Sequence, residues 1–309
     1  MLSSEQYEKD AAVLREAMKG WGTNEESIVK LVTSRSNADR QEILKFYKSS
    51  FGRDLIEDLA DELGGEVKKV VIGMFRTPVD YDCYELQRAM KGVGTQEEVL
   101  IEIIGSRPTS TLKQIKERYL ELFKVDLEKE VEDECGSDLK RLLISLLQCN
   151  RSETTNIDEG KLDKDVKDIY EAGEGTLGTD ESVFNKIFTN RSPAELRFIN
   201  EEYYKLCGKS LAQVIESEFG GDIARLLKTV LHSILNPADF FACKIREAGK
   251  GMGTNDDQLI RILISRDEID LKQIKEIYKQ RFEKTLFEEI KDETGGDYKN
   301  LLLGIARND

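Results

Sequence analysis

The chain has 309 residues, 34% of them charged and 39% hydrophobic, and its 46 Lys+Arg against 60 Asp+Glu leave a formal net charge of -14 at pH 7. A body this acidic does not hold DNA, RNA or an anionic membrane by its overall field, so a cation has to bridge it to any anionic surface. Length and apolar content exclude disorder and allow two ordinary domains or one array of smaller units.

Residues 1–9 read as a short N-terminal tail, with no apolar stretch of the kind a secretory signal needs. Repeat I occupies 10–78. Its first helix, A, ends at Lys19-Gly-Trp-Gly-Thr23. Thr23-Asn-Glu-Glu26 reads as a capping box that opens helix B, which carries Ile28, Leu31 and Val32 at helical spacing and ends near Arg35. Helix C follows, then helix D with Leu55, Ile56, Leu59 and Leu63, which is expected to stop at a left-handed turn on Gly64-Gly65. Helix E carries Val67, Val70, Val71 and Met74.

The same signals return in repeat II (79–150), repeat III (163–237) and repeat IV (238–309), with a polar connector at 151–162 between the second and third. The glycine loops are Lys91-Gly-Val-Gly-Thr95, Gly175-Thr-Leu-Gly-Thr179 and Lys250-Gly-Met-Gly-Thr254, and Thr95-Gln-Glu-Glu98 repeats the capping signal. Ser192-Pro-Ala-Glu195 is the clearest cap of a helix C, with proline at the first helical position. With the last loop glycine as origin (Gly22, Gly94, Gly178, Gly253), six offsets agree in all four copies. Offset +13 is Arg35, Arg107, Arg191, Arg266; +21 is Ile43, Ile115, Ile199, Ile274; +25 is Tyr47, Tyr119, Tyr203, Tyr278. Offset +33 is Leu55, Leu127, Leu211, Leu286; +40 is Glu62, Glu134, Glu218, Glu293; +42 is Gly64, Gly136, Gly220, Gly295. This register implies four copies of one five-helix unit in an all-α protein. No two-residue alternation flanked by hairpin turns predicts a strand. The connector suggests that repeats I–II and III–IV act as two halves.

Other residues are uninformative or bland. The longest uncharged run, between Lys228 and Asp239, is 10 residues and too short to cross a bilayer. The five cysteines are scattered with no C-x-x-C pair, as free thiols in a reducing compartment would be. His232, the single histidine, lies in an apolar helical stretch and reads as a packed side chain, with no nucleophile motif around it.

The chemistry lies in the glycine loops. Glycines allow several backbone carbonyls to turn toward one point, and carbonyl oxygens are hard ligands suited to Ca²⁺. Neutral carbonyls bind weakly, so a carboxylate is needed, and each repeat has one at +40. If the A–B and D–E corners lie side by side, repeat I offers the carbonyls of Met18, Gly20 and Gly22 and two oxygens of Glu62. Calcium takes 6 to 8 oxygens, so positions stay open for water or a lipid phosphate, and affinity without lipid is on the order of 10⁻⁴ M or weaker. Calcium and membrane then strengthen each other's binding. The residue between the glycines is Trp21, Val93, Leu177 or Met252, apolar each time, and either tucks back or inserts at the headgroup boundary. Lys19, Lys91 and Lys250 are either solvated or touch phosphates. Acids at +3 (Glu25, Glu97, Glu181, Asp256) suit a helix N-terminus, or hold an accessory calcium with a carbonyl such as that of Thr23.

On these loops, the acids at +40 and the Ser/Asn-Arg pairs Ser34-Arg35, Ser106-Arg107, Asn190-Arg191 and Ser265-Arg266, the chain resembles the annexin family over essentially Ser4 to Asp309. The resemblance implies a curved all-α disc with calcium sites on its convex face. It implies reversible, calcium-dependent binding to acidic phospholipid membranes as a cytoplasmic, peripheral adaptor, with no catalysis and no nucleic acid. Carried over residue by residue, it assigns calcium to Met90, Gly92, Gly94 and Glu134 in repeat II and to Gly249, Gly251, Gly253 and Glu293 in repeat IV. Repeat III departs with Gly173-Glu-Gly-Thr-Leu-Gly178, a variant loop whose ligands would be Gly173, Thr176, Gly178 and Glu218. A hydrophilic centre is implied at Asp82, Glu102, Arg107 and Arg266, either a structural ion-pair network or an ion path. Self-association on membranes stays open. The alternative class is a calcium-independent helical-repeat scaffold for other proteins. A phosphate-binding enzyme is disfavoured, because the glycine loop lies between helices and no Gly-Lys-Ser/Thr follows.

Overall fold

The structure is a computed structural model that describes residues 2–20, 22–175, 178–250 and 253–307. Among the described residues there are twenty α-helices and no strand. Repeat I holds α1 (Ser4–Ala17), α2 (Glu25–Thr33), α3 (Asn37–Phe51), α4 (Leu55–Glu62) and α5 (Gly65–Met74). Repeat II holds α6 (Pro78–Met90), α7 (Glu97–Ser106), α8 (Thr109–Phe123), α9 (Leu127–Glu134) and α10 (Ser137–Leu147). Repeat III holds α11 (Glu159–Ala172), α12 (Glu181–Asn190), α13 (Pro193–Cys207), α14 (Leu211–Glu218) and α15 (Gly221–Leu235). Repeat IV holds α16 (Pro237–Ala248), α17 (Asp256–Arg266), α18 (Leu271–Phe282), α19 (Leu286–Glu293) and α20 (Gly296–Arg307).

The register positions form the core. The isoleucines at +21 and the tyrosines at +25 are completely buried in all four repeats, and the leucines at +33 nearly so. Burial of these side chains, more than helix propensity, holds helices of eight to fifteen residues together.

The pairing of repeats differs from the expectation drawn from the connector. Two compact units form, one of residues 1–81 with 241–309 and the other of residues 82–240. Thus repeat I packs with IV, and repeat II with III. In the first unit α2 packs on α20 and α5 on α17; in the second α7 packs on α15 and α10 on α12. Glycines make three of these crossings close. A Cβ on Gly304 would lie 2.6 Å from Thr33 Cγ2, one on Gly73 2.7 Å from Ile264 Cδ1, and one on Gly105 2.9 Å from Thr229 Cγ2. The α10–α12 crossing has Ser145 and Thr189 at those two places and leaves a cleft of about 280 Å³. Chain continuity does not decide which helix faces find each other, and at three of the four crossings the observed approach leaves room only for a glycine.

Helix ends are set locally, with two departures from expectation. The loop threonine does not cap helix B. In three repeats the next residue does instead: Asn24 accepts from Ser27 N–H at 3.0 Å, Asp180 from Ser182 N–H at 3.0 Å, and Asn255 from Gln258 N–H at 3.1 Å, while Gln96 in repeat II makes no side-chain cap. Asn and Asp reach the first-turn donors from there, which frees the threonine hydroxyl. Helix D also ends differently. It closes at Glu62 through Leu63 in extended backbone, and the left-handed glycine is Gly65, in the first turn of α5. Ser192 with Glu195 forms the capping box read from the sequence. All five cysteines are free, three of them buried. His232 is not sealed in the core: its Nε2 lies 2.7 Å from Asp239 Oδ2, and its ring meets the edge of Phe240.

Candidate metal centres

In each repeat the loop between helices A and B lies against the end of helix D. The contact is the same four times. Thr23 Oγ1 donates to Glu62 Oε2 at 2.9 Å, Thr95 to Glu134 Oε2 at 3.4 Å, Thr179 to Glu218 Oε2 at 2.7 Å and Thr254 to Glu293 Oε2 at 2.9 Å. Thr95, Thr179 and Thr254 also approach the main-chain carbonyl of the same glutamate, at 2.9, 3.4 and 3.3 Å. Loop and acid, far apart in sequence, are thus brought within one hydrogen bond. The offset at +40 carries the acid; the threonine hydroxyl that positions it has no part in the sequence pattern, which offers Thr23 as a cap and, through its carbonyl, as an accessory calcium ligand.

Each loop is closed by a second recurring bond. Asn24 N–H donates to Ala17 C=O at 2.8 Å, Gln96 to Ala89 at 2.9 Å, Asp180 to Ala172 at 2.8 Å and Asn255 to Ala248 at 2.8 Å. The third loop spans one residue more than the others between these anchors. Inside the loops Gly20, Gly22, Gly92, Gly94, Gly178 and Gly253 all have φ between 86° and 113°. That conformation lets successive carbonyls turn toward one point and is costly for any residue with a Cβ.

The four glutamates are unspent. Glu62 and Glu134 are exposed, and Glu218 and Glu293 half-buried. Among the described residues none of the four forms an ion pair, although salt bridges are frequent elsewhere. A carboxylate held by a hydroxyl beside a glycine loop, and without an ion-pair partner, suits a hard divalent cation. Met18 and Met90 are buried where the chain leaves helix A for the loop, and their places in repeats III and IV are taken by glycine. A Cβ on Gly173 would lie 3.4 Å from Glu218 Cγ, and one on Gly249 3.5 Å from Glu293 Cγ, so in these two repeats the backbone runs close along the acid. Thr176, Gly251 and the tip residues Trp21, Leu177 and Met252 lie outside the described residues. Val93 is the described tip, and it stands wholly in solvent at 109% relative exposure. Lys91 and Lys250 are exposed, and Lys19 pairs with Glu16.

The acids at +3 take part in helix contacts. Glu25 faces Asp297 of α20, and its carboxyl is pushed up by desolvation and by the hydrogen bond to that second acid. Asp256 accepts from Tyr298 O–H at 2.8 Å. Glu97, with Glu134 and Asp222, adds to the burial that pushes the Cys135 thiol up to about 11. Glu181 is exposed at the start of α12.

The charged residues of the expected centre fall in both units. Arg107 grips Asp82 with two bonds, Nε to Oδ2 at 2.8 Å and Nη2 to Oδ1 at 2.9 Å, and Glu102 is buried in the same unit. The Arg–Asp clamp is not peculiar to that pair. Arg35 holds Asp10 in the same way, at 2.6 and 3.0 Å, and Arg191 holds Asp165, with Nη2–Oδ1 at 2.9 Å. It ties the end of helix B to helix A within one repeat. Arg266, in the other unit, has Phe241 where the others have aspartate. Its guanidinium lies 4.5 Å over that ring and bonds Asp270 at 2.7 Å.

Comparisons with known proteins agree with this repeated geometry. The family model described as Annexin matches four stretches, residues 9–74, 81–146, 164–230 and 240–305. The chain is 43% identical over 298 residues to annexin A7 of Homo sapiens, covering 96% of this chain and 61% of that protein. It is 43% identical over 294 residues to annexin A5 of Macaca fascicularis, covering 95% and 92%. It therefore spans about three fifths of the length of several curated relatives, among them annexin A7 at 61% and annexin A11 at 59%. Among solved structures it superposes on annexin III with TM-score 0.95 at 33% identity, covering 100% and 95% of the two chains. It superposes on calcium-bound annexin (Sm)1 with TM-score 0.85 at 31% identity, covering 99% and 92%.

Proposed function

The chain belongs to the annexin family, and on that footing we propose that it docks reversibly on acidic phospholipid membranes through calcium ions held in its four glycine loops. In each loop the metal would be held by backbone carbonyls (Met18, Gly20 and Gly22 in repeat I; Met90, Gly92 and Gly94 in II; Gly173, Thr176 and Gly178 in III; Gly249, Gly251 and Gly253 in IV) and by Glu62, Glu134, Glu218 or Glu293. The bound cation supplies the positive charge that a body of net charge -14 lacks, and a lipid phosphate completes its oxygen shell. The protein's own part is to hold the carboxylate beside the loop and to present an apolar tip such as Val93. Glu25, Glu97, Glu181 and Asp256 serve first as favourable charges at the start of helix B, and a weaker accessory ion there is the second reading. No described helix is long and apolar enough to cross a membrane, which accords with docking at the surface.

The observation that carries this reading is the fourfold threonine–glutamate contact, which gathers an unpaired carboxylate at every glycine loop. The reading makes the protein a membrane adaptor whose occupancy follows calcium. The test is co-sedimentation with phosphatidylserine vesicles. Protein pellets in calcium, is released by chelator, and fails to pellet when Glu62, Glu134, Glu218 and Glu293 are all changed to Gln. Equal pelleting with and without calcium sinks the proposal and favours the calcium-independent scaffold.

A further inference from the structure

The third loop has a residue that the other three lack, and the repeat pattern shows what it does. At offset +36 helix D carries an acid in three repeats: Asp58, Glu130 and Glu289. That acid serves the buried tyrosine at +25 in repeats I and II and the cation at +31 in repeats I and IV. Tyr47 O–H donates to Asp58 Oδ2 at 2.6 Å, and Arg53 Nε bonds both oxygens of Asp58 at 2.9 and 2.8 Å. Tyr119 O–H donates to Glu130 Oε2 at 2.6 Å. Lys284 pairs with Glu289 at 2.7 Å.

In repeat III the +36 residue is Val214, completely buried, so helix D offers no carboxylate. The tyrosine and the cation are still present, as Tyr203 and Lys209. Both turn to Glu174, in the loop between α11 and α12: Lys209 Nζ pairs with Glu174 Oε1, and Tyr203 O–H lies 3.5 Å from Oε2. Glu174 is only 15% exposed, although it sits in a surface loop. Its neighbours are tied down as well, Gly173 N–H to Ile169 C=O at 3.1 Å and Gly175 N–H to Tyr170 C=O at 2.8 Å.

The longer loop nevertheless keeps the arrangement of the shorter ones. Gly178 has φ 97°, Thr179 bonds Glu218, and Gly173 runs along Glu218 as Gly249 does along Glu293. We propose that Glu174 is a positioning residue: held by Lys209 and Tyr203 in place of a helix D acid, it ties the third loop in the geometry its calcium site needs. This rests on the calcium reading of the loops given above. A loop ordered before the ion arrives loses less conformational freedom on binding, so releasing the tether weakens the third site alone.

The sign of the effect separates this from simple electrostatics. Removing the Lys209 ammonium makes the surroundings of the site more negative, which by charge alone would lower the calcium requirement. The tether predicts a rise. Vesicle docking is measured against calcium in a background with Glu62→Gln, Glu134→Gln and Glu293→Gln, where only the third site reports. Lys209→Met is expected to raise the calcium midpoint about threefold to tenfold, and Lys209→Arg to restore it. Arg53→Met, made where only Glu62 is intact, leaves the first site within twofold, because Asp58 lies on helix D and not in the loop. An unchanged or lowered midpoint in Lys209→Met overturns the proposal. Should that variant melt early, Lys209→Gln decides, since it also removes the positive charge: a raised midpoint supports the tether and an unchanged or lowered one ends it. If the triple background fails to dock at any calcium level while the unaltered protein docks, this inference falls together with the third loop's share in docking, and the calcium reading of the other three loops stands. If the unaltered protein does not dock, the calcium reading falls first.

Discussion

Replacing the four loop threonines by valine tests the contact on which the functional reading stands. Thr23, Thr95, Thr179 and Thr254 each donate a hydroxyl to the +40 glutamate. Valine keeps the branched shape and removes only the donor. A hydrogen bond to a charged acceptor contributes about 1.5–3 kcal/mol where water is excluded. Glu62 and Glu134 are exposed, so a discounted value of about 1 kcal/mol per site is the expectation, or roughly fivefold in the calcium each site needs. Losses at loops that act together accumulate, and the fourfold variant should need at least an order of magnitude more calcium for half-maximal vesicle docking. Thr→Ser at the same positions keeps the donor and should stay near the original requirement. Thermal melting without calcium is the control. Had the threonines been helix caps, each would contribute about 1 kcal/mol to stability; Asn24, Asp180 and Asn255 do that work, so the melt should barely move. Valine variants that melt early yet dock at the usual calcium would refute the reasoning in both parts.

Three further outcomes are expected. Val93→Ser should raise the lipid needed at fixed calcium about fivefold, from about 1 kcal/mol of lost apolar burial, with no change in melting; an unchanged lipid requirement would mean the tip stays in water. Lys124 and Glu283 sit at φ 60° and 56°, where Gly52 and Gly208 stand in repeats I and III, so Lys124→Gly and Glu283→Gly should each stabilise by about 0.5–1 kcal/mol in urea unfolding despite the freer unfolded chain. Asp39 is held at about 2, below its usual 3.8, chiefly by the Ser36 hydroxyl and then by Tyr7 O–H at 2.7 Å, against opposing desolvation. A carboxyl whose folded value is depressed contributes its full stability above its unfolded value and loses it as the pH falls through the folded one. The stability gap between the protein and Asp39→Asn should therefore be constant above about pH 4 and shrink toward pH 2; a gap that persists at pH 2 would show that packing, not charge, is responsible.

Much of the site was legible because it lies in local chemistry repeated four times. Glycines that need left-handed backbone, an apolar residue between them and an acid at a fixed offset are constraints that any one copy obeys and all four copies display. The threonine was seen and misread, because a hydroxyl before a helix also looks like a cap. Only the fold shows that the next residue already satisfies the first-turn donors. Glu174 was invisible for a related reason: its value appears only beside Val214, forty residues away, where an expected acid is missing.

By itself the sequence determined four units, their helical order and the buried faces at +21, +25 and +33, since apolar spacing and turn residues act over a few positions. Which repeats embrace was decided by tertiary packing. Repeats I and IV share one unit, and II and III the other, although the connector argued for consecutive halves. That choice is made where helices cross, and at three of the four crossings the observed approach leaves room only for a glycine. Gly73, Gly105 and Gly304 meet Ile264, Thr229 and Thr33 at three crossings, while Ser145 and Thr189 leave the fourth open. A crossing joins residues far apart along the chain, and no local pattern announces its partner.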